Sequence, residues 1–383
     1  MSKYGFDFNM MRSRIDYLEN YLCNNEHLLG NDKINEINLS IDLIEKILYT
    51  FDENIIIDSY NEYTTSSSNM DLIKKLKDYI ESDLNNNPDY IINRNLICKK
   101  LYDSAFRKKE FDDYEFNTAI SNEDAVELVG KMIIKKFGIN HYNVYKSFFI
   151  NQCNHIEFSN KYTSFLHCAK MPEDVFVVIR DEDDITKAVD IAHEAGHYFS
   201  RTIRPYEYFS KDSILCEVES TFYEIMMLNY LIEENIDKKA AYRLLYSLIN
   251  ETVFDKAAIV FAEYDYPMYK LNSVKDFKIM ANKYDLYERT GFLSSRDLLN
   301  EIIACNSDNI FNYVYSTIIA FNLFDEYITS RNKKNIVLKY EKFLKEIGKI
   351  DDFKLASYID RDFISFDNYK VLKKYNQKCV ENK

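Results

Sequence analysis

Seven glycines and four prolines must punctuate all 383 residues of this chain. A β-sandwich or barrel uses a turn residue about every ten positions, and a doubly wound parallel sheet carries glycine-rich loops after its strands. Neither pattern can be built from so few. Long helices joined by polar connections are what remains. Because 46% of the residues are hydrophobic and 15% aromatic, the chain can bury at least one sizeable core, which excludes disorder as a global description. Its length allows one large or two ordinary domains.

Charge limits the partners. With 49 basic and 62 acidic residues the net charge is −13, so neither a nucleic-acid sheath nor a protein held to lipid by electrostatics is expected. The stretch 331–383 reverses the sign locally, with 14 basic and 8 acidic residues. Its lysines, such as Lys370, Lys373 and Lys374, are spaced as a solvated helix face. The seven cysteines are scattered and form no CxxC pair, as expected in a reducing compartment. The opening MSKYGFDFNMMRSRID has no basic region followed by an apolar run, and no apolar stretch reaches the roughly 18 residues of a membrane helix. A cytoplasmic protein is expected, and oligomeric state is left open.

From Tyr4 to about Lys136, apolar positions recur at helical spacing, as in Ile44-Ile47-Leu48 and Leu72-Leu76-Ile80. Polar stretches such as 64–69 and 85–88 divide the segments. One helix is well marked: Asn122 or Asp124 can cap it, Val126, Leu128, Val129, Met132 and Ile133 form its stripe, and Gly138 stops it. Between His155 and Ile179 the pattern changes. HIEF, TSFLHC and DVFVVI are short β-branched or aromatic runs, with Met171-Pro172-Glu173-Asp174 as a turn before the last. They predict a sheet of two or three strands, after which helix returns. The fold class is mainly α, two-lobed, with a small sheet ahead of the helix that begins near residue 185. A helical lobe over 1–150 and a second domain over 151–383, which contains the sheet, are expected, with the junction near 138–154.

Residues 193–197 read His-Glu-Ala-Gly-His. The apolar stripe Ile185, Ala188, Val189, Ala192, Gly196, Phe199 buries one face of a helix and leaves His193 and His197 one turn apart on an adjacent face. Two neutral imidazoles at i and i+4 can hold one zinc ion, and Glu194 can serve as general base. Two histidines on a surface helix are the plainer account of the same spacing. Gly196, costly by about 1 kcal/mol inside a helix, suggests a close backbone approach.

A two-histidine site needs a third ligand. Leu215-Cys216-Glu217-Val218-Glu219-Ser220-Thr221-Phe222-Tyr223-Glu224 begins a second long helix. Glu217, Ser220 or Thr221, and Glu224 share a face there; packed against the first helix, that face would put Glu217 on the metal and Glu224 close behind it. Glu224 reads equally as a solvated carboxylate, and Glu219 reads as an exposed one.

Together HEAGH and EVESTFYE resemble the oligoendopeptidase F and thimet oligopeptidase family of zinc peptidases, which are gluzincins. Upstream, TSFLHC, DVFVVI and Asp190-Ile191-Ala192-His193 are similar to that family's entry into the metal helix. Downstream, the segment from Glu251 to Tyr264 is similar to its TVF…FAEF helix, Phe311-Asn-Tyr-Val-Tyr315 to its tyrosine segment, and Tyr340-Glu-Lys-Phe-Leu344 to its closing helices. The likeness spans about residues 155–383. It implies His193, His197 and Glu217 as zinc ligands and Glu194 as general base and proton shuttle. It also implies that Tyr315 stabilises the oxyanion, that Tyr313 lines the cleft, and that 174–179 or 163–168 offers a strand edge to extended peptide. As residues alone, both tyrosines read first as core.

Three departures stand out. Cys305-Asn306-Ser307-Asp308 lacks the histidine that usually precedes the tyrosine segment, Tyr162-Thr163-Ser164-Phe165 lacks the usual glycine, and family members are far longer ahead of the metal helix. His155 and His167 read as structural. The implied activity is zinc-dependent endoproteolysis of oligopeptides or of an extended precursor peptide. The missing histidine motivates an alternative, a catalytically weak, zinc-stabilised helical protein that binds a peptide or partner.

Overall fold

The computed structural model describes residues 3–52, 69–86, 88–104, 119–168, 174–204, 213–305, 307–359 and 368–382. Along them run α1 (Phe8–Asn25), α2 (Asn31–Ile47), α3 (Asn69–Asn86), α4 (Pro88–Ser104), α5 (Asn122–Lys136) and α6 (Ile139–Tyr145). Three strands follow, β1 (Ile156–Ser159), β2 (Phe165–Cys168) and β3 (Val175–Arg180), and then α7 (Thr186–Ile203), α8 (Val218–Glu234), α9 (Lys238–Ser247) and α10 (Lys256–Asp265). The last described helices are α11 (Val274–Lys283), α12 (Leu286–Thr290), α13 (Ser295–Cys305), α14 (Ser307–Thr329), α15 (Lys333–Glu346), α16 (Asp352–Ala356) and α17 (Asn368–Glu381). The chain is mainly α with one small sheet among the described residues, as the scarcity of turn residues requires. No described helix is long and apolar enough to cross a membrane.

Two compact units form, each from two stretches: Met1–Asp58 with Phe116–Phe209, and Ser59–Glu115 with Ser210–Lys383. The division interleaves the sequence, whereas the linear reading places one boundary near residue 150. Burial partners decide it: α4 packs on α10, more than 150 residues downstream.

In the first unit α1 and α2 pack together and bury Met11, Leu18, Ile37, Ile41, Ile44 and Ile47 in one cluster with Phe6, Phe176 and Val178. Two of these belong to β3, the central strand of the order β1-β3-β2. It pairs in parallel with β1 (Ile156 opposite Val177) and antiparallel with β2 (Leu166 opposite Val177). Side chains alternate along a strand, so Val177 and Ile179 point to the other face, where α7 packs. Burial on both faces accounts for the unbroken apolar run of Val175–Ile179. It also corrects an expectation. Segment 174–179 lies mid-sheet with both ladders used and cannot take a further strand, whereas 163–168, which contains β2, lies at an edge. The expected turn at Met171-Pro172-Glu173 lies outside the described residues.

The cap of α5 is Ser121, not Asn122 or Asp124. Its hydroxyl accepts from the Asp124 N–H at 3.1 Å and donates to the Asp124 carboxylate at 2.6 Å, a reciprocal arrangement that satisfies the first turn. Gly138 does close this helix: its φ of +96° suits glycine, and its N–H reaches back to the Ile133 carbonyl at 3.0 Å.

The second unit is organised on α8 and α14, which pack against each other. From Val218 to Leu231 nearly every side chain of α8 is buried, the condition of a helix apolar all round. Fully buried Arg94 donates to the Tyr264 hydroxyl and lies over the rings of Tyr90 and Tyr264. Glu219 is likewise buried, at 2% exposure, and its main-chain carbonyl accepts from the Tyr340 hydroxyl at 2.8 Å. The exposed Glu219 read from sequence is thereby corrected, because α15 covers the side of α8 on which it sits.

Two features of the first unit are measurable. Arg14 holds Asp174 through Nε and Nη2 at 3.1 and 3.2 Å, with Asp174 only 2% exposed. Arg14→Ala strands that carboxylate and is expected to cost about 3 kcal/mol, read as a lower urea midpoint; an unchanged midpoint would refute the clamp. His155 donates Nδ1–H to the Val175 carbonyl at 2.9 Å and stacks on Phe176. Burial lowers its pKa from the ordinary 6.5, with the Val175 hydrogen bond and the Asp174 charge opposing. Protonation is therefore easier in the unfolded chain, so the stability His155 contributes is complete above about pH 6.5 and is lost as pH falls through its lowered value. Between about pH 7.5 and 5.5 the parent's urea midpoint should fall more than that of His155→Gln, which keeps a donor; equal slopes would remove His155 as the cause.

Candidate active site

The helix α7 is held from its first residue. The Thr186 N–H bonds the Asp184 carboxylate at 2.7 Å, an acidic group where the helix dipole favours it. Buried Lys187 bonds Asn122 Oδ1 at 2.6 Å and pairs with Asp181 at 2.8 Å. Ala188, Val189, Ala192 and Phe199 are buried as their spacing requires. Farther along, the Phe199 ring stacks on His141 of α6 at 3.8 Å between centroids, and Tyr198 stacks on Phe148 at 4.6 Å. With one side so fixed, His193 and His197 are half-buried on the other, ring centroids 5.0 Å apart at 76°. Glu194 is only 2% exposed. The first unit therefore brings together three sequence-predicted residues: two imidazoles one turn apart and a carboxylate between them. This donor set fits a borderline-soft divalent cation such as zinc.

The other predicted residues lie in the second unit. Glu217 occupies the N-cap position of α8, so its carboxylate sits at the positive end of the helix dipole. The Ser220 hydroxyl lies 3.0 Å from Glu217 Oε2 and 3.2 Å from the Glu217 carbonyl and donates to them. Tyr313 is 38% exposed, with the Lys256 ammonium 4.2 Å from its ring centroid. Tyr315 is fully buried, stacked on Phe311 and edge-on to Phe353. Two residues apart on one helix, the tyrosines point to different faces. The packing of Tyr315 agrees with the core reading made from residues alone.

Sequence reasoning passed over one group. Asp190, one turn before His193, accepts from the Ser164 hydroxyl at 2.7 Å and pairs with Arg180 Nε at 3.3 Å. The same hydroxyl accepts from the Arg180 N–H at 2.9 Å. The available signal was a carboxylate one turn ahead of His193 in an otherwise apolar approach; its partners lie 26 and 10 residues away and have no periodic signature.

No family model and no curated protein matches the chain. Among solved structures, a candidate peptidase from Chlamydophila abortus aligns with a TM-score of 0.54 and 16% identity over 83% of this chain and 56% of that one. A candidate oligoendopeptidase F aligns with a TM-score of 0.53 and 11% identity, over 98% of this chain and 69% of that one. The chain thus spans little more than half the length of the first. At such identities the likeness is one of architecture, and the fold of this chain is that of these two peptidase structures.

Proposed function

We propose that this chain is a zinc-dependent endopeptidase that cleaves oligopeptides or an extended precursor peptide. The observation that carries the reading is the set His193, Glu194 and His197 on α7, with its reactive face half-buried and its opposite face locked by packing. The peptidase names of the structures with the same fold support it. In this reading His193 and His197 are two metal ligands, and the resemblance assigns Glu217 as the third. When bound, zinc supplies Lewis acidity that polarises a peptide carbonyl and makes water nucleophilic near neutral pH. Glu194 takes the proton of the attacking water and returns it to the departing amine. Ser220 keeps the Glu217 carboxylate turned in one direction. β2 lies at an edge of the sheet, where an extended peptide can add main-chain hydrogen bonds.

A second reading is favoured by the burial of Tyr315 between Phe311 and Phe353. An oxyanion donor must reach the reacting carbonyl, and a hydroxyl in an aromatic core has to move to do so. Without that donor the chain binds zinc and peptide with little turnover. Digestion of a mixed peptide library with and without chelator separates the two: chelator-sensitive cleavage supports the first reading, and binding without cleavage supports the second.

Three variants sharpen the assignment. Glu194→Gln should keep its zinc by metal analysis and lose about 100- to 10,000-fold in kcat; a variant as fast as the parent would sink the general-base role. His197→Ala should purify without stoichiometric zinc, and full occupancy would remove the histidine as a ligand. Ser220→Ala, which frees the Glu217 carboxylate, should weaken zinc binding about tenfold in a competition titration; unchanged affinity would argue against Glu217 as a ligand supported in this way.

A further inference from the structure

The network around Asp190 joins three elements at one point. Ser164 is the residue immediately before edge strand β2, Arg180 is the last residue of central strand β3, and Asp190 lies on α7, three residues before His193 and four before Glu194. The Ser164 hydroxyl is used in both directions, donating to Asp190 Oδ2 at 2.7 Å and accepting from the Arg180 N–H at 2.9 Å. It therefore stands in for a main-chain acceptor just past the end of the β2–β3 ladder, whose last pair is Phe165 with Val178. The Arg180 guanidinium meets the same carboxylate, Nε at 3.3 Å from Oδ2 and Nη2 at 3.5 Å from Oδ1. Asp190 is only 19% exposed, which strengthens charge-assisted bonds relative to the surface, whereas Arg180 at 40% also meets Glu182 at 3.6 Å.

The geometry points to Ser164, Asp190 and Arg180 as positioning residues that set the register of edge strand β2 against the helix bearing Glu194 and the two histidines. This rests on the peptidase reading and specifies how that site selects the bond it cuts. A peptide added along β2 inherits the position of that strand, and the clamp ties the start of the strand both to β3 and to α7 one turn ahead of His193 by hydrogen bonds. Since side chains alternate along a strand, a peptide that slips while keeping the same side chains facing the site moves by two residues. Loosening the clamp therefore redistributes cleavage between bonds two residues apart as well as slowing it.

The test uses the full chain and the variants Ser164→Ala, Asp190→Asn and Ser164→Thr, with a decapeptide that the parent cuts at one main bond. Mass spectrometry of the products should show that bond losing its dominance in Ser164→Ala and Asp190→Asn, in favour of bonds two residues to either side. In both, kcat at the original bond should fall about tenfold or more, with zinc content and thermal midpoint close to the parent. Ser164→Thr keeps the hydroxyl and should restore the parental pattern. A merely structural role would change stability without moving the cut; an unchanged pattern with kcat within about twofold overturns the clamp. If the parent cleaves no peptide, the peptidase reading has failed, and the clamp is judged by hydrogen exchange. Ser164→Ala should then lose protection at the β2 amides of Phe165–Cys168 while α1 and α2 keep theirs, and unchanged β2 protection overturns it.

Discussion

Everything at the candidate site depends on one side of α7 being immobile. A helix can offer imidazoles and a carboxylate with fixed geometry only if its other side cannot rotate or slide. Here that side packs on β3 and α5, with its C-terminal half held by the stacked pairs His141–Phe199 and Phe148–Tyr198. Small residues, Ala188, Ala192, Ala195 and Gly196, line much of the buried face. They let the helix sit close to its neighbours, where rotation would meet a clash at once. Preorganisation of this kind matters because displacement of about 1 Å at a reacting group can cost a hundredfold in rate.

Polar side chains anchor what apolar packing cannot orient. Hydrophobic burial is non-directional, so register between α7 and its neighbours falls to Asp190, bonded to Ser164 and Arg180, and to Lys187, bonded to Asn122 and Asp181, while Asp184 caps the helix start. The same division of labour holds in the second unit. Its core is formed by the apolar lengths of α8 and α14, while Arg94 and Tyr340 donate to groups that burial would otherwise leave at a cost. Burial in that interior pushes the pKa of the Cys98 thiol far up, against the opposing charge of Arg94.

Much of this was legible in the sequence. The mainly helical class, three short strands and the histidine pair all follow from local signals, because helical period, strand composition and the i, i+4 relation are properties of neighbours in the chain. Errors occurred where a distant partner decides. Segment 174–179 reads as a strand from composition, but whether it is central or at an edge depends on β1 and β2 flanking it. Glu219 reads as exposed because its own helix places it beside polar residues; α15, more than 110 residues on, covers it. Ser121, Asn122 and Asp124 can each serve as a cap by residue type, and only the backbone conformation of the turn selects Ser121.

The sequence alone therefore determined the chemistry that α7 can offer, since spacing along a helix sets which side chains share a face whatever packs around them. It also determined that the chain must be helical, because eleven turn-forming residues cannot support the alternatives. Tertiary structure decided which strands lie at the edges of the sheet, which tyrosine is buried, and which partners Asp190 meets. Those outcomes rest on contacts between segments far apart in the chain. Burial and hydrogen bonding are settled by the partner that arrives, and a single segment carries no record of it.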